Sequence, residues 1–461
     1  MINRAKLLLK RLHSLFKFGI YRYIKTKLRM TKLEFSLVHL PDEPGSVSHD
    51  VKIIFHQKVN KGAKPIFRNL PKYIDGGIYD GSVLSPKVSC HSINNAHVVG
   101  RTEFIFKDKK AYFPGIIDPK ADMFMAEIEG HASITDDFNS ISISVIKGTR
   151  KIDRAVSLFG QANGNYLHFL TETLSRLAVL DSLDTFFDAS LLIEDNLHPK
   201  FYEALELLNV NDLNVILISP YEMVLVEELL YISQICYTPP ETRCMFTNGS
   251  LASARRDQFV FSKEGLELLR TKSVKICKNY VPSITKRMFS VKGKKHKNTL
   301  DTPGYIFYNN ELIHSSDTEF VFLERRGVTT GNGRLVVNQE YITHVLQNQG
   351  FICFDIADFS FKEQVMILRD SKIVVSPVGA SLGNLIFCEP GMNVVVISPV
   401  FPGATFFYFA NLLSCLGHNI IFVLGKQTVT QGVGYQEFYN RDFIAPINEV
   451  LSAVHHYHDD E

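Results

Sequence analysis

The sequence lacks the cysteine patterns that disulfide frameworks and zinc sites use. Its seven cysteines are odd in number, lie scattered between Cys90 and Cys415, and include no C-x-x-C pair. Cys353 and Cys388 stand in apolar surroundings, where a thiol serves as a small core residue. This usage argues against a structural disulfide or zinc site and is typical of a reducing, cytoplasmic compartment.

The sequence also lacks the roughly eighteen-residue apolar run that a spanning helix requires. Lys10 and Arg11 interrupt the N-terminal apolar run before it reaches the length of a secretory signal. Acidic residues are missing from residues 1–32, which contain ten lysines and arginines among leucine, isoleucine and aromatic residues. A basic amphipathic helix of this kind binds anionic membranes. We predict that residues 1–33 form such an arm, rather than a solvated or nucleic-acid-binding one.

The common nucleotide-binding motifs are absent. The chain contains neither a Walker loop nor a G-x-G-x-x-G fingerprint. It also lacks Asp-x-Asp and any His, Asp or Glu cluster with metal-ligand spacing. We therefore expect no metal site and no cofactor.

Residues 34–150 are predicted to be a β-rich N-terminal region. Segments 51–56, 102–106 and 141–146 alternate with the period of two that a half-buried strand requires. From residue 155 onward strands alternate with helices. The predicted strands are 155–159, 191–193 and 215–219, and the predicted helices are 166–181, 199–208 and a longer pattern over 251–278.

Residues 291–303 are charged, poor in apolar residues and flanked by prolines, which predicts an exposed linker. The alternation of strands and helices resumes beyond it. The predicted strands are 305–308, 320–323, 350–355, 372–376, 394–397 and 420–424, and the predicted helices are 339–348, 361–369, 405–416 and one from about 448. This pattern predicts an α/β protein with two doubly wound, Rossmann-type domains, residues 151–290 and 304–461, that face a cleft.

The segment after the predicted strand 373–375 has the composition of an anion site. Small residues lead into a short helical stretch that starts near Leu382. Phosphate oxygens can approach such a backbone, where N–H groups and the helix dipole meet them. The alternative is an ordinary strand-to-helix turn. The predicted phosphate contacts are Gly379, Ala380, Ser381, Gly383 and Asn384.

His168, Glu172 and Arg176 are spaced to share one face of the predicted helix 166–181. A histidine held by a carboxylate suits a general base, because the carboxylate fixes the tautomer and stabilises the protonated form. The sequence leaves open whether His168 or Glu172 is the base, and the alternative is a solvated polar stripe. Asn163 and Asn165, in the preceding turn, are expected beside them on the acceptor side.

Arg325 and Arg326 end a predicted strand and begin a glycine-rich turn that leads to Arg334. Arginines at a strand's carboxyl end suit bidentate contacts with a diphosphate. The alternative is a pair of surface charges. Ser360 and Glu363 are predicted to form a helix capping box rather than a chemical site.

Four blocks, residues 164–177, 324–340, 359–364 and 376–387, resemble in their order those of family 61 glycosyltransferases, which include bacterial capsular polysaccharide biosynthesis proteins. The resemblance spans about residues 155–440. It implies GT-B architecture, an inverting reaction, a nucleotide-sugar donor and no required metal. The family usually has His where this chain has Val378, so a histidine contact with phosphate is not implied here.

From these observations we expect an inverting, metal-independent glycosyltransferase on the cytoplasmic face of the cell membrane. Its expected substrates are a nucleotide sugar, UDP-linked, and a surface-polysaccharide or glycolipid acceptor, and no nucleic-acid partner is expected. His168 and Glu172 would act on the acceptor, beside Arg176, while the arginines and the small-residue turn would bind the donor. The alternatives are a nucleotide-sugar-modifying enzyme, such as an epimerase, and a non-catalytic glycan-assembly subunit.

Overall fold

A computed structural model shows a mixed α/β protein with several sheets, and eight α-helices lie within its described residues. The described residues are 30–40, 45, 47–61, 64–72, 82–113, 132–135, 139–160, 162–183, 188–237, 259–278, 305–308, 311–314, 318–326, 333–401, 404, 406–429 and 440–458. The predicted α/β class is confirmed. The predicted linker 291–303 and most of the predicted arm lie outside the described residues.

The first part of the chain builds one large mixed sheet and two small ones. Its strands are β1 (Met30–His39), β2 (Asp50–Phe55), β3 (Val59–Lys61), β4 (Ile66–Arg68), β5 (Ser82–Leu84), β6 (Val88–Val99), β7 (Ile105–Lys107), β8 (Lys110–Phe113), β9 (Ala132–Ile134), β10 (Ser140–Ser157), β11 (Ser190–Glu194), β12 (Val215–Ile218), β13 (Glu222–Ile232), β14 (Cys236–Tyr237) and β15 (Val260–Phe261). The large sheet has the order β1-β8-β7-β6-β13-β10-β11-β12, with β2 on β6 and β9 on β10.

The long strand β10 joins the β-rich region to the strand–helix region. Its first half pairs antiparallel with β1, where Met30 lies opposite Ile146, and its second half pairs parallel with β11 and β13. The predicted boundary at residue 150 therefore falls inside one continuous strand. Met30 and the next three residues, predicted as the end of the basic arm, belong to β1.

The second part builds a mainly parallel sheet. Its strands are β16 (Tyr305–Tyr308), β17 (Glu311–His314), β18 (Phe320–Leu323), β19 (Ile352–Phe354), β20 (Ile373–Pro377), β21 (Asn393–Val400), β22 (Asn419–Gln427) and β23 (Phe443–Ile444). The parallel sheet has the order β19-β18-β20-β21-β22-β23, and β4 from the N-terminal region pairs with β22. Strands β16 and β17 pair antiparallel in a separate two-stranded sheet. Valine and isoleucine dominate β20 and β21, whose burial on both faces is usual for parallel sheets.

Helices cover these sheets. The α-helices are Tyr166–His168, Ser175–Leu180, Pro199–Leu208, Lys263–Cys277, Gln339–Gln347, Phe361–Arg369, Phe407–Cys415 and Ile447–His458. A π-helical segment, Phe169–Leu174, joins the first two, and we call residues 166–180 the His168 helix. The capping box predicted at Ser360 and Glu363 is confirmed. None of the described helices is both long and apolar enough to cross a bilayer.

One hydrophobic core extends through both halves of the chain. It includes Leu167 and Leu170 of the His168 helix together with Leu382 and Leu385, which follow β20. A Cβ atom at Gly383 would lie 2.7 Å from Leu167 Cδ1, so glycine lets the two halves approach closely. The structure thus holds the His168 helix directly against the turn after β20.

Candidate functional site

The chain order of the strands marks one edge of the C-terminal sheet as the place for a ligand. The chain leaves β18 for β19 on one side and then returns to β20 on the other side. Arg325 lies just beyond β18, and Val378 and Gly379 lie just beyond β20. Ligands of open parallel sheets bind at the carboxyl ends of strands where the order reverses in this way.

Two of the three predicted arginines meet at this edge. Arg325 Nη1 donates to the Val378 carbonyl oxygen at 2.8 Å, and Arg334 Nη2 donates to the same oxygen at 3.1 Å. Gly379 leaves room for this approach, because a Cβ atom there would overlap Arg325 Nη1. The structure therefore places two cations beside the start of the small-residue turn, where a diphosphate would carry its charge, and Arg334, although only 1% exposed, lines a pocket there.

Arg326 pairs with carboxylates that follow β19, the strand next to β18 at the same edge of the sheet. Its guanidinium makes a bidentate pair with Asp358, at 3.0 Å and 2.6 Å, and its Nε lies 3.7 Å from Asp355. These two carboxylates compensate its charge. Arg326 is thus engaged with these carboxylates, whereas Arg325 and Arg334 share the Val378 carbonyl.

The small-residue turn has a half-buried first part and a buried second part. Residues Ala380–Phe387 form a 3₁₀-helix, and Gly379, Ala380 and Ser381 are half-buried at its start. Gly383 and Asn384 are buried in the contact with the His168 helix. Only the first three of the five predicted contacts therefore lie where a phosphate could reach them.

Tyr166 connects the two halves through hydrogen bonds. Its Oη lies 2.7 Å from Asn384 Oδ1 and 2.7 Å from Gln364 Oε1. A hydroxyl has one hydrogen to donate, so one of these amides must turn its nitrogen toward the tyrosine. The tyrosine thereby ties the first turn of the His168 helix to the turn after β20.

The two predicted asparagines shape the turn before the His168 helix. Asn165 is the N-cap, and its side chain accepts from the Leu167 backbone N–H at 3.0 Å. Asn163 is buried, donates to the Leu158 carbonyl at 3.3 Å and accepts from Thr173 Oγ1 at 2.7 Å. Both side chains are used in positioning the helix.

His168 and Glu172 form the predicted pair. His168 Nδ1 lies 2.5 Å from Glu172 Oε1, and the two side chains are 17% and 8% exposed. A carboxylate at Nδ1 selects the tautomer with the proton on that nitrogen, so Nε2 is the nitrogen that can accept a proton. Glu172 belongs to the π-helical segment, a helix form often found at functional sites.

Arg176 is buried beneath this pair. Its Nε donates to the Glu172 carbonyl at 2.7 Å, and its Nη2 donates to the Phe159 carbonyl at 2.7 Å. The side chain has no exposed surface. His168, Glu172 and Arg176 are thus a packed polar cluster rather than a solvated stripe, and Arg176 supports the helix rather than facing an acceptor.

An aromatic pocket lies beside Arg334 and close to the His168–Glu172 pair. It is lined by Arg334, Val378, Ser398, Pro399, Phe401, Ala404, Phe406, Tyr408, Phe409 and Phe422. The Tyr408 ring centroid lies 6.2 Å from that of His168. Sequence reasoning missed this wall, although the run of four aromatic residues at 406–409 was a visible signal.

Cysteine is not available as a nucleophile in the described part of the chain. The six cysteines described there are buried and unpaired. Desolvation raises the pKa of Cys90, Cys277 and Cys353 to about 12, and the thiolate is the reactive form. No group of three or more His, Cys, Asp or Glu side chains among the described residues is placed to hold a metal ion.

The part of the chain that carries this site is similar to glycosyltransferases. Residues 166–395, just under half of the chain, match the family model Glycosyltransferase 61. The match confirms the resemblance over these residues, supports a transferase and suggests glycosyl transfer. No curated protein matches the chain significantly. Tyr408 and β4 lie outside the matched residues.

Proposed function

We propose that the protein is an inverting glycosyltransferase that moves a sugar from a nucleotide-sugar donor to a glycan or glycolipid acceptor. The observation that carries this proposal is the placement of the His168–Glu172 pair beside a pocket that contains Arg334. A base and a cationic leaving-group site are the two parts that such a transfer needs. The family match supplies the reaction class.

In the proposed reaction, His168 Nε2 takes the proton of the acceptor hydroxyl as its oxygen attacks the anomeric carbon. The bond from this carbon to the diphosphate breaks, and the diphosphate leaves on the opposite face, which inverts the anomeric configuration. Glu172 stabilises the imidazolium that forms. Arg325, Arg334 and the backbone of Gly379, Ala380 and Ser381 receive the negative charge of the departing group.

The proposed architecture is GT-B, with the acceptor bound against the His168 helix and the donor against the C-terminal sheet. The Val378 carbonyl holds both arginines by hydrogen bonds. Position 378 therefore serves the donor site through its backbone, although it lacks the histidine that the family usually has there. We further propose a UDP-linked donor, metal-independent transfer and a role in capsule or other surface-polysaccharide synthesis.

The reaction type can be tested by measuring nucleotide release with and without an acceptor. Thermal shifts with UDP, CMP, GDP and TDP identify the nucleotide, because a ligand at 100 times its Kd adds about 2.7 kcal/mol of stability. The corresponding nucleotide sugars are then incubated with oligosaccharides from a surface polysaccharide. We expect nucleoside diphosphate release that requires the oligosaccharide. Conversion of the nucleotide sugar without acceptor would indicate an epimerase-like enzyme, and binding without turnover would indicate an assembly subunit.

We also propose that the basic N-terminal segment binds the inner face of the cell membrane. A deletion of residues 1–29 is the appropriate variant, because Met30 begins β1 and must be kept. We expect the deletion to abolish cosedimentation with anionic liposomes and to leave activity on a soluble acceptor nearly unchanged. High salt should have the same effect, since the attraction decays over about 8 Å at physiological ionic strength. Equal binding of both proteins to the liposomes would contradict the assignment.

A further inference from the structure

Tyr408 occupies the position between the two halves of the proposed reaction site. Its ring centroid lies 6.2 Å from that of His168, and it lines the same pocket as Arg334 and Val378. Tyr408 is therefore near both the proposed base and the pocket that contains the proposed diphosphate site. The reacting carbon must lie between the base side and the diphosphate side.

The Tyr408 ring is held by aromatic neighbours from the first half of the chain. Its centroid lies 6.0 Å from those of Phe259 and Phe261, at interplanar angles of 28° and 12°. The helix that carries Tyr408 is fixed to the same segment, because Asn411 Nδ2 donates to the Phe259 carbonyl at 2.9 Å. The ring orientation is thus set by contacts from the first half of the chain.

The other walls of the pocket have a consistent chemistry. Phe401, Phe406 and Phe409 are buried behind Tyr408, which is half-buried and offers the accessible aromatic surface, while the buried Arg334 supplies the charge. A sugar ring presents apolar C–H faces and polar edges, so it can pack a face on an aromatic ring while its hydroxyls point elsewhere. A pyranose joined to a diphosphate matches this combination of an aromatic wall with a cation.

We propose that Tyr408 is a specificity-determining residue that binds the ring of the transferred sugar between His168 and Arg334. This inference rests on the proposed function and names the part of the substrate that contacts Tyr408. Tyr408 lies beyond the residues that match the family model.

The test compares the binding of UDP with that of UDP-glucose, UDP-galactose and UDP-N-acetylglucosamine by calorimetry on the full chain. Tyr408→Leu should weaken the best UDP-hexose about 3- to 10-fold, the effect of one aromatic contact, and leave UDP unchanged. Tyr408→Phe keeps the ring and should bind like the wild type. Phe407→Leu is the matched control. The Phe407 ring centroid also lies near that of Phe259, at 6.5 Å, but Phe407 does not line the pocket.

The outcomes separate this inference from the proposed function. Equal weakening of UDP and UDP-hexose by Tyr408→Leu would show a structural role and overturn the inference. Unchanged binding of both ligands would overturn it as well, with the proposed function intact. If the wild type binds neither UDP nor any of the UDP-hexoses, the proposed UDP-linked donor is wrong, and the inference fails with it.

Discussion

At the residue scale, the contact between Glu172 and Nδ1 of His168 decides which ring nitrogen can act as the base. The Glu172 carboxylate lies at Nδ1, so the proton-accepting nitrogen is Nε2. The i, i+4 spacing predicted this contact, since both residues share one helix face. The burial of Arg176 was not predictable, because it depends on the Phe159 carbonyl, which is seventeen positions away in the chain.

His418 shows the opposite use of a histidine, as a buried neutral group. Its side chain is inaccessible to solvent, and its Nε2 lies 3.0 Å from the Leu385 carbonyl oxygen. Desolvation lowers the pKa of His418 to about 4, whereas a histidine in the unfolded chain has a pKa near 6.5. The unfolded state therefore binds more protons between these values.

The free energy of unfolding should consequently decrease as the pH falls from about 6.5 to 4. A shift of this size corresponds to about 3 kcal/mol. His418→Gln keeps a donor for the Leu385 carbonyl but cannot titrate, so its stability should fall less over the same range. Urea titrations at several pH values measure the difference. Parallel pH profiles for the two proteins would contradict the buried neutral state.

At the scale of elements, the turn after β20 makes two separable contributions. Gly379 has a φ of 170°, an extended conformation that alanine also adopts, but a Cβ atom would displace the Arg325 guanidinium. At Gly383 a Cβ atom would press on Leu167 and Leu170 of the His168 helix. The first contact concerns the donor site and the second concerns packing.

We expect Gly379→Ala to weaken nucleotide binding about tenfold or more with little loss of stability, because a charge-assisted contact is disturbed at a flexible side-chain end. Gly383→Ala should instead lower the free energy of unfolding by about 1–3 kcal/mol through overpacking. Calorimetric binding and urea unfolding of both variants check this. If Gly379→Ala lowered stability without affecting nucleotide binding, and Gly383→Ala weakened binding, the donor would have to lie elsewhere.

Elements with a strong local signal were predictable from the sequence. The helices Pro199–Leu208 and Phe361–Arg369 coincide with their predicted bounds, because a proline at the first position and a capping box mark their starts. The strand Glu222–Ile232 was missed, since its side chains follow no simple alternation. The pairing of Arg326 with Asp358 was not predictable, because the two residues are 32 positions apart in the chain.

At the scale of the whole molecule, the N-terminal region completes the C-terminal half. Ile66 of β4 pairs with Ile421 of β22, and Asn69 Nδ2 donates to the Leu424 carbonyl at 2.9 Å. The Phe67 ring stacks on the Phe422 ring, with 5.3 Å between their centroids, and Phe422 lines the aromatic pocket. A region outside the family match therefore supports the proposed donor site.

Phe67→Ala should lower the free energy of unfolding by roughly 2 kcal/mol, below the usual range for a core phenylalanine because the side chain is only half-buried. Leu70→Ala is the control, since Leu70 is 36% exposed and its loss should cost less than about 0.5 kcal/mol. Urea unfolding compares the two variants. Equal stabilities would show that β4 contributes little to the C-terminal sheet.

The central claim is that His168, held by Glu172, removes the acceptor proton. The most direct measurement is the turnover number of His168→Ala at saturating donor, together with its donor affinity. The account predicts a loss of about 10²–10⁴-fold in kcat with donor Kd unchanged, and a smaller loss for Glu172→Gln, which keeps a polar group at Nδ1. Near-normal kcat in folded His168→Ala would contradict the claim, and a greater loss in Glu172→Gln would make Glu172 the base.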